Sequence, residues 1–428
     1  MISKDLLRRI ILQQKNQEFK IKETTLREKL PEIKKWIKKD NRIIIITGLR
    51  RSGKSTLLRQ IMHNNNNLSY VNFEDERFID FKAKNFERLN EVLIELYGES
   101  SLYFFDEIQN IDKFETFVRR LQDQDKKIVL TGSNATMLSK ELGTHLTGRY
   151  KSFSIYPFSF REFLNHKNIA LDNTSMYLTE KKVQIIKLFQ EYLSKGGMPE
   201  YLKNQDIDYI RTTYENIIYR DIIVRYNIKK QKILRELVNI LATDIASKIT
   251  YNSLKNTLKL SNAITIKEYI SHLENSYLFF ELPKFDYSLK KQLNTPKKIY
   301  IVDPMFHMLC GMNYSKNKGR ILENMVFIDL KRAGHEIFYY KNKNECDFVI
   351  KDKNTIKDAI QVCYSLNKDN KKREINGLID AMDKFKLKKG ILLTNEQEDE
   401  LSINNKKITV SPVWKWMLNQ KMKKNNFP

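Results

Sequence analysis

The stretch IIIITGLRRSGKSTLL, from Ile43 to Leu58, determines the fold class, because an apolar strand, a glycine-containing loop and a helix follow one another without interruption. The loop matches the phosphate-binding pattern G-x-x-x-x-G-K-[ST], and the candidate nucleotide contacts are Gly48, Gly53, Lys54, Ser55 and Thr56. The glycines let backbone N–H groups approach a phosphate. We expect Lys54 to reach the β- and γ-phosphates and the hydroxyl of Ser55 to hold Mg²⁺. A glycine turn beside a surface lysine is the alternative, but the strand and the helix on either side weigh against it.

Strand-like and helix-like stretches alternate downstream of this loop. They are LSYVNFED, KNFERLNEVLIELYG, SLYFFDEI, FETFVRRLQDQ and KIVLTGSN. Short, continuously apolar strands between helices predict a parallel sheet covered by helices on both faces, and ligands bind such sheets beyond the carboxyl ends of the strands. The phosphate-binding loop lies at one of these ends. The sequence therefore predicts an α/β P-loop NTPase domain.

A pair of acidic residues ends the strand SLYFFDEI. This looks like a Walker B sequence, in which Asp106 would hold Mg²⁺ and Glu107 would orient or polarise the attacking water. The alternative is that Asp106 only caps the next helix, since aspartate favours that position. The apolar strand before it and the phosphate-binding loop upstream favour the metal site.

Polar residues also follow the next predicted strand, KIVLTGSN. Ser133 and Asn134 would lie between the two preceding motifs if the strands are neighbours, where either could contact the γ-phosphate or the attacking water. Both are also common turn and helix-capping residues. Further on, Arg149 in HLTGRY is a candidate counter-charge for the transition state of phosphoryl transfer, within its own subunit or toward a neighbouring one. A surface arginine would give the same pattern.

The composition narrows the class of partner. The 428 residues include 76 lysines and arginines against 52 acids, a formal net charge of +24 that favours an anionic partner such as DNA or a generally basic, solvated surface. The three cysteines form no C-x-x-C pair, which excludes a zinc ribbon and a secreted disulfide framework and favours the cytoplasm. No apolar run approaches the ~18 residues of a membrane span, so we expect no membrane partner.

Several motifs in sequence order carry a family resemblance. They are GLRRSGKST, FFDEIQNI, LTGSNATMLSKELGTHLTGRY, YPFSFREFL, GGMPEYL and YRDIIVRYNI. Together they resemble a widespread group of archaeal and bacterial AAA+ ATPases whose C-terminal region is described only as a domain of unknown function. The resemblance implies ATP and Mg²⁺ as ligands, places Ser133 or Asn134 at the sensor 1 position, and matches Arg149 to the arginine of the TGRY motif. It also implies self-association through the AAA+ subunits.

The predicted elements divide the chain into five segments. They are a helical lead-in (1–38), the AAA+ core (39–158), a helical lid (159–230), a winged helix (231–304) and a last α/β domain (305–428). The lid begins at SFREF, where Ser159 and Glu162 have the spacing of a capping box.

Residues 231–304 contain three short predicted helices followed by two strands, which is the order of a winged helix. The third helix would carry the recognition face, and the two strands would form a basic wing. The candidate DNA contacts are Lys267, His272, Lys290, Lys291, Lys297 and Lys298. Many winged helices bind proteins instead, and the lysines could simply be solvated.

The last domain resembles a restriction-endonuclease-like core, in which an acid on a helix, an aspartate on a strand and an E-x-K sequence hold a metal. Glu323, Asp347 and Gln361 fall at the ligand positions, and Cys363 replaces the lysine. A neutral glutamine is a weaker ligand than a carboxylate, and cysteine supplies no positive charge for the scissile phosphate. We therefore expect a degenerate domain and no nuclease activity.

Taken together, these motifs favour a Mg²⁺-dependent AAA+ ATPase that couples its nucleotide state to DNA binding or remodelling. Two alternatives stay open. One is an ATP-regulated, metal-dependent nuclease. The other is an ATP-binding switch or scaffold for a protein partner.

Overall fold

The computed structural model describes residues 2–18, 24–63, 65, 67–133, 148–171, 178–310 and 318–419. The chain divides into two units, residues 1–156 and 157–428. None of the helices within the described ranges is both long enough and apolar enough to cross a membrane.

The first unit alternates strands and helices as the sequence predicts. Its elements are α1 Lys4–Glu18, α2 Leu30–Lys39, β1 Ile43–Gly48, α3 Lys54–Met62, β2 Leu68–Asn72, α4 Phe86–Tyr97, β3 Leu102–Asp106, α5 Phe114–Asp123, β4 Lys127–Gly132 and β5 Tyr150–Ile155. The five strands form one parallel sheet in the order β2-β3-β4-β1-β5. The predicted α/β fold with a parallel sheet is confirmed.

Both faces of this sheet are covered, which explains why β1 is apolar at every position from Ile43 to Ile46. Ile43 and Ile45 pack in a core layer with residues of α1, α4 and α5, while Ile44 and Ile46 pack in a second layer with residues of α2 and α3. Alternate side chains of a strand point to opposite faces, so a doubly covered strand has no polar face to keep. The predicted lead-in helices are therefore part of the core of the first unit.

The strand order brings the predicted motifs together. β4 lies between β1 and β3, so the carboxyl ends of these three parallel strands are adjacent. The phosphate-binding loop follows β1, and Ser133 follows β4. Asp106 is the last residue of β3, and Glu107 comes directly after it. The sequence predicts that these motifs lie together if the strands are neighbours, and the strands are neighbours.

The second unit begins with helices. They are α6 Phe160–His166, α7 Thr179–Lys195, α8 Pro199–Asn204, α9 Ile207–Asn216 and a π-helix Ile217–Val224. The predicted capping box starts α6, because the backbone N–H of Glu162 donates to Ser159 Oγ at 3.1 Å and the Ser159 N–H donates to Glu162 Oε2 at 3.1 Å.

A small three-stranded sheet follows, in the order β6-β8-β7 with antiparallel pairing. Its segment consists of α10 Gln231–Thr243, β6 Lys248–Ile249, α11 Tyr251–Thr257, α12 Ala263–Asn275, β7 Phe279–Leu282, α13 Leu289–Asn294 and β8 Lys297–Ile301. The three helices and two strands lie where the sequence predicts them. The short strand β6 and the helix α13 between β7 and β8 were not predicted.

The remaining residues build a six-stranded mixed sheet in the order β13-β14-β12-β11-β10-β9. Its segment consists of α14 Pro304–Cys310, α15 Lys318–Arg332, β9 Glu336–Lys341, β10 Glu345–Asp352, β11 Thr355–Val362, α16 Lys371–Lys384, β12 Lys389–Thr394, β13 Asp399–Ile403, β14 Lys406–Pro412 and α17 Val413–Asn419. The segment after β7 bonds to the edge strand β9, since the Phe285 N–H donates to the Tyr339 carbonyl at 2.7 Å. The small sheet and the six-stranded sheet are therefore joined by backbone hydrogen bonds.

Candidate functional site

The phosphate-binding loop leaves β1 in a conformation that needs glycine. Gly48 has φ of 151°, and a Cβ atom there would lie 2.1 Å from the carbonyl oxygen of Ile155 on β5. Gly53, immediately before α3, has φ of 96°. Because L-residues with a side chain rarely adopt such angles, both glycines of the motif are fixed by the backbone path.

Lys54 is buried beneath this loop, with 4% of its surface exposed. Its Nζ donates to the carbonyl oxygens of Gly48 at 3.3 Å and Leu49 at 3.2 Å, and it lies 3.3 Å from Glu107 Oε1. An ammonium has three donors, and two of them are directed to neutral carbonyls of the loop itself. A phosphate bound in the loop would offer this lysine a stronger, anionic acceptor.

Asp106 is almost fully buried at the end of β3. Burial, and secondarily the neighbouring Glu107, raises the pKa of Asp106 to about 6, against hydrogen bonds from Thr131 and Ser55. The Thr131 hydroxyl donates to Asp106 Oδ1, and the Tyr70 hydroxyl lies 3.4 Å from Oδ2. The Ser55–Asp106 hydrogen bond places together the two oxygen ligands that the sequence assigned to Mg²⁺.

Glu107 adopts a left-handed conformation, with φ of 51°, that directs the chain away from the sheet. Its N–H donates to Thr131 Oγ1 at 2.9 Å, and Gln109 Nε2 donates to Glu107 Oε2 at 2.5 Å. Burial would raise the pKa of Glu107, but the charge of Lys54, the Gln109 hydrogen bond and the charge of Arg50 together lower it below its ordinary value. Glu107 is therefore held as a carboxylate, the form that can accept a proton.

Two buried hydroxyls at this edge lack a hydrogen-bond partner among the described residues. They are Ser52 Oγ in the loop and Ser133 Oγ after β4, with 0% and 2% of their surfaces exposed. Buried polar groups are normally paired, so these two suit a polar ligand at this edge. Carboxylate and hydroxyl oxygens are also the ligands that Mg²⁺ prefers, so Asp106 and Ser55 fit that ion.

Two further candidates stand differently. Thr56 lies in the first turn of α3, and its contact with a nucleotide stays a prediction. Asn134 lies outside the described residues, so the sensor 1 position is represented in the structure by Ser133 alone.

Sequence reasoning missed three side chains that hold this site in place: Thr131, Gln109 and Arg27. Arg27, 5% exposed, donates from NH1 to the carbonyl of Ser52 at 2.6 Å and from NH2 to the carbonyl of Tyr156 at 2.7 Å. It ties the loop to the chain after β5. Thr131 and Gln109 stand inside the quoted motifs LTGSN and DEIQ, whereas nothing in the local pattern around Arg27 points to the loop.

The structure places Arg149 away from its own loop. Arg149 precedes β5, and Tyr150 pairs with Ile43 at the amino end of β1, whereas Gly48 pairs with Ile155 at the carboxyl end. Six residues of strand separate the two ends by roughly 20 Å. The Arg149 guanidinium pairs instead with Asp123 at 2.8 Å. The expectation that Arg149 could serve the site of its own subunit is therefore wrong.

Three of the candidate DNA contacts have partners within the protein, and one of the three is buried. Lys298 has 3% of its surface exposed and pairs with carboxylates, so it is not available to a phosphate backbone. The ring of His272 stacks on that of Tyr226, with centroids 3.7 Å apart. Lys297 is half-buried and donates to the carbonyl of Leu293 at 2.9 Å. The assignment of Lys298 to DNA is therefore corrected. His272 and Lys297 are partly exposed and stay predictions, as do the exposed Lys267, Lys290 and Lys291.

The three degenerate nuclease positions do meet. Lys298 Nζ from β8 lies 2.9 Å from Glu323 Oε1 on α15 and 2.8 Å from Asp347 Oδ1 on β10. The Gln361 side chain on β11 accepts from the Asp347 N–H at 3.2 Å. The sequence predicted this convergence of acids but assigned Lys298, the positive charge among them, to DNA.

Comparison with known proteins matches residues 40–164 to a family described as an AAA domain. Residues 186–314 and 318–416 match two domains of unknown function, DUF8612 and DUF4143. An uncharacterized protein of Methanocaldococcus jannaschii is 37% identical over 399 residues, which cover 88% of each chain. An uncharacterized protein of Haemophilus influenzae is 32% identical over 396 residues, 88% of this chain and 94% of its own. Among solved structures, AMPPCP-bound DnaA from Aquifex aeolicus shares 17% identity over 57% of this chain and 86% of its own, with a TM-score of 0.24.

Proposed function

We propose a function from the premise that this chain belongs to the AAA-type ATPase family of its Methanocaldococcus and Haemophilus relatives. The chain is a Mg²⁺-dependent ATPase that hydrolyses ATP at the carboxyl end of β1 and uses its nucleotide state to control DNA binding or remodelling. One observation carries the proposal: Lys54, Asp106 and Glu107 lie together, buried, beside two hydroxyls without a partner among the described residues.

ATP binding uses the loop first. The N–H groups between Gly48 and Lys54 surround the β-phosphate, and Lys54 exchanges its loop carbonyls for phosphate oxygens. Ser55 and Asp106 hold Mg²⁺, which when bound neutralises charge on the phosphate oxygens. Arg27 keeps the loop in position, because its guanidinium bonds the carbonyl of Ser52.

Hydrolysis then needs a base and a route for its proton. Glu107 accepts a proton from water while the water oxygen forms a bond to the γ-phosphorus. The bond between the γ-phosphorus and the β–γ bridging oxygen breaks, and its electron pair leaves with ADP. Such a base contributes roughly 10²–10⁴-fold to the rate. The lowered pKa of Glu107 supports this role, because the base must be ionised before it can act.

The transition-state charge is met from outside the subunit in this proposal. Arg149 stands exposed at the opposite edge of the sheet, so it can serve only the loop of a neighbouring copy. The AAA+ subunits would then self-associate with Arg149 of one against the nucleotide of the next, which completes each site from two chains.

The DNA-binding part rests on a smaller surface than the sequence predicted. The net charge of +24 and the exposed Lys267, Lys290 and Lys291 support contact with phosphates. The helix and strand order of residues 231–301 suits a winged helix. With Lys298 removed, the remaining contacts to phosphates would position the protein on DNA, because phosphate contacts fix register without reading the sequence.

Three finer assignments belong to the same proposal. Two of them are the five domain bounds predicted from the sequence and the restriction-endonuclease-like nature of the last domain. Cytoplasmic localisation is supported by three free cysteines, Cys310, Cys346 and Cys363, in a chain whose described part forms no disulfide.

The test is steady-state hydrolysis of Mg²⁺-ATP with and without single-stranded, duplex and branched DNA, at low and moderate salt, with Glu107→Gln as the control. We expect the parent protein to hydrolyse ATP, and we expect Glu107→Gln to bind ATP without hydrolysing it. DNA should stimulate hydrolysis by the parent protein, and this stimulation should weaken as the salt concentration rises. Tight ATP binding without turnover under every condition would favour the switch or scaffold instead. An ATPase rate that no DNA changes would indicate that the partner is a protein.

A further inference from the structure

The acidic cluster of the second unit encloses a lysine that arrives from a different strand. Lys298 lies on β8 of the small sheet, while its partners lie on α15 and β10. Its ammonium contacts Glu323 at 2.9 Å, Asp347 at 2.8 Å and Glu345 at 3.2 Å. Three donors therefore face three carboxylates, and the side chain is 3% exposed.

Carboxylate oxygens that could bind a metal here already have hydrogen-bond donors. Asp347 Oδ1 is taken by Lys298, and Oδ2 accepts from the Val362 N–H at 3.0 Å. Glu323 Oε1 accepts from Lys298 and from the Tyr300 hydroxyl at 2.7 Å. Within the described part of the chain, no group of three or more metal-binding side chains is assembled.

The side chain of Gln361, at the remaining ligand position, also has partners. Gln361 Nε2 donates to Glu374 Oε2 at 2.7 Å, while its Oε1 accepts from the Asp347 N–H. The helix α16 packs tightly over this point, since a Cβ on Gly377 would lie 2.0 Å from the Glu345 carbonyl oxygen. The amide thus bridges Asp347 and Glu374, and both of its ends already have hydrogen-bond partners.

We propose that the Lys298 ammonium is a permanent internal cation that takes the place of a divalent metal between Glu323 and Asp347. The last domain then needs no metal to hold its carboxylates together, and it does not take one. Burial would lower the pKa of Lys298, but Asp347 and Glu323 outweigh it and hold that pKa well above the ordinary value, so the charge persists.

A lysine in place of a metal links two parts of the second unit. The lysine belongs to the segment interpreted as a winged helix, and the carboxylates belong to the domain interpreted as nuclease-like. A metal would serve the carboxylates alone, whereas a lysine also anchors β8 to β10 and α15. The second partner of Glu345, Lys248 on β6, adds a further ion pair between the same sheets. The cluster therefore holds the two sheets together and at the same time excludes metal-dependent cleavage.

The experiment measures Mn²⁺ binding by the loss of the free-ion signal in electron paramagnetic resonance, without nucleotide. Mn²⁺ is chosen because it favours carboxylate sites. All proteins carry Asp106→Asn, so that the loop site loses its carboxylate ligand. The variant is Lys298→Met, which removes the charge and keeps an unbranched side chain. Lys351→Met is the matched control, since Lys351 on β10 pairs with Glu336 at 2.8 Å nearer the surface.

We expect no bound Mn²⁺ with Lys298 present or in the Lys351→Met control, and a single bound Mn²⁺ per chain in Lys298→Met. The melting temperature of Lys298→Met should fall by about 10 °C, and Mn²⁺ should restore part of the loss. Adding Asp347→Asn to Lys298→Met should abolish both the binding and the restoration.

Two results would overturn the proposal. One is Mn²⁺ binding with Lys298 present that Asp347→Asn abolishes, and the other is a folded Lys298→Met variant that gains no Mn²⁺. If Lys298→Met is insoluble alone, recovery in the folded state only when Mn²⁺ is present during refolding supports the proposal, and failure to fold in both conditions contradicts it. ATP turnover does not enter these readouts, so the outcome is independent of the proposed ATPase.

Discussion

Within the described part of the chain, two buried lysines lie beside carboxylates, and their surroundings differ. Lys54 and Lys298 have 4% and 3% of their surfaces exposed. Lys54 contacts one carboxylate and two neutral carbonyls of a glycine-containing loop. Lys298 contacts three carboxylates, and it lies between elements that are joined by hydrogen bonds.

The difference shows that a buried charged cluster can have polar groups left over for a ligand, as around Lys54, or can satisfy its charges internally, as around Lys298. Around Lys54, the hydroxyls of Ser52 and Ser133 have no partner among the described residues. Around Lys298, the oxygens of Asp347 and both ends of the Gln361 amide are taken. Since buried polar groups are costly when unpaired, the first centre gains most from an added anion and the second gains nothing from an added cation.

The largest expected effect separates the two lysines directly. Lys54→Met should abolish ATP binding, because the β- and γ-phosphates lose their only buried ammonium at the loop among the described residues, and the rate should fall about 10³-fold or more. Lys298→Met should leave ATP affinity per folded molecule unchanged, while it destabilises the second unit by about 3–5 kcal/mol.

Nucleotide titration calorimetry and thermal denaturation of both variants measure this contrast. A Lys54 variant that is shown to be folded and binds ATP like the parent protein would contradict the assigned role of Lys54. A Lys298 variant that loses ATP affinity without losing stability would contradict the assigned role of Lys298.

The next effect tests whether the Lys54 centre is completed from outside its chain. Arg149→Ala should lower the rate roughly 10³-fold if its guanidinium meets the transition state in a neighbouring subunit. Mixing Arg149→Ala with Lys54→Met should restore part of the activity, because some sites then combine an intact loop with an intact arginine.

Arg119→Ala is the matched control, since Arg119 is also exposed and lies 3.8 Å from the same Asp123. The control should keep the parent rate. Mixed inactive proteins that stay inactive, although they assemble, would count against action between subunits.

A smaller effect concerns the amide that orients Glu107. Gln109→Leu removes the 2.5 Å hydrogen bond to Glu107 Oε2 and leaves the loop intact. We expect a fall of about tenfold in kcat with little change in the affinity for ATP, because the base loses alignment and the phosphates keep their contacts.

Asn110→Ala provides the neighbouring control, since the Asn110 side chain donates to the carbonyl of Phe73 at 3.2 Å. An equal loss of kcat in both variants, or a loss of ATP affinity in Gln109→Leu, would show that this turn acts through general structure.

The smallest effect is a pH dependence of stability that arises at the carboxylate cluster around Lys298. Burial, and next the charge of Asp347, raises the pKa of Glu323 to about 7, above its unfolded value. The folded state thus binds more protons than the unfolded state between these values, and stability falls as pH rises through this window. Glu323→Gln should reduce that slope by the contribution of this group, on the order of 1–3 kcal/mol across the window. Burial also raises the pKa of Asp106, Glu274 and Asp303, which keep the remainder of the slope.

Denaturant unfolding of the parent and the variant at a series of pH values measures the slope. Glu336→Gln, which changes a surface carboxylate, should leave it unaltered. A slope of opposite sign in the parent, with stability rising toward neutral pH, would contradict the raised pKa of Glu323.

The local patterns predicted much of the first unit. α3 begins and ends where KSTLLRQIM does, and the strands of the parallel sheet follow the quoted apolar runs. These runs are informative because a strand covered on both faces must be apolar throughout. The phosphate-binding loop and the acidic pair were readable for a similar reason, since their chemistry requires fixed residue types at fixed spacing.

The same patterns misassigned Lys298. In KKIYI, alternation places Lys298 and Tyr300 on one face of β8, which is the face that meets Glu323. A lysine at a strand end also fits a solvated wing, and the local sequence does not say what covers that face. Arg27 was missed for the same reason, because its partners in the chain, Ser52 and Tyr156, lie far from it in sequence.

The sequence by itself determined the parallel sheet, the loop that holds Lys54 and the acids that follow β3, because periodicity and spacing are properties of neighbouring residues. Only the tertiary structure decided that β4 separates β1 from β3, that Arg149 stands at the opposite edge, and that Lys298 fills a cluster of carboxylates. These depend on which strand faces pack together, and burial then makes the pairing of each charge obligatory.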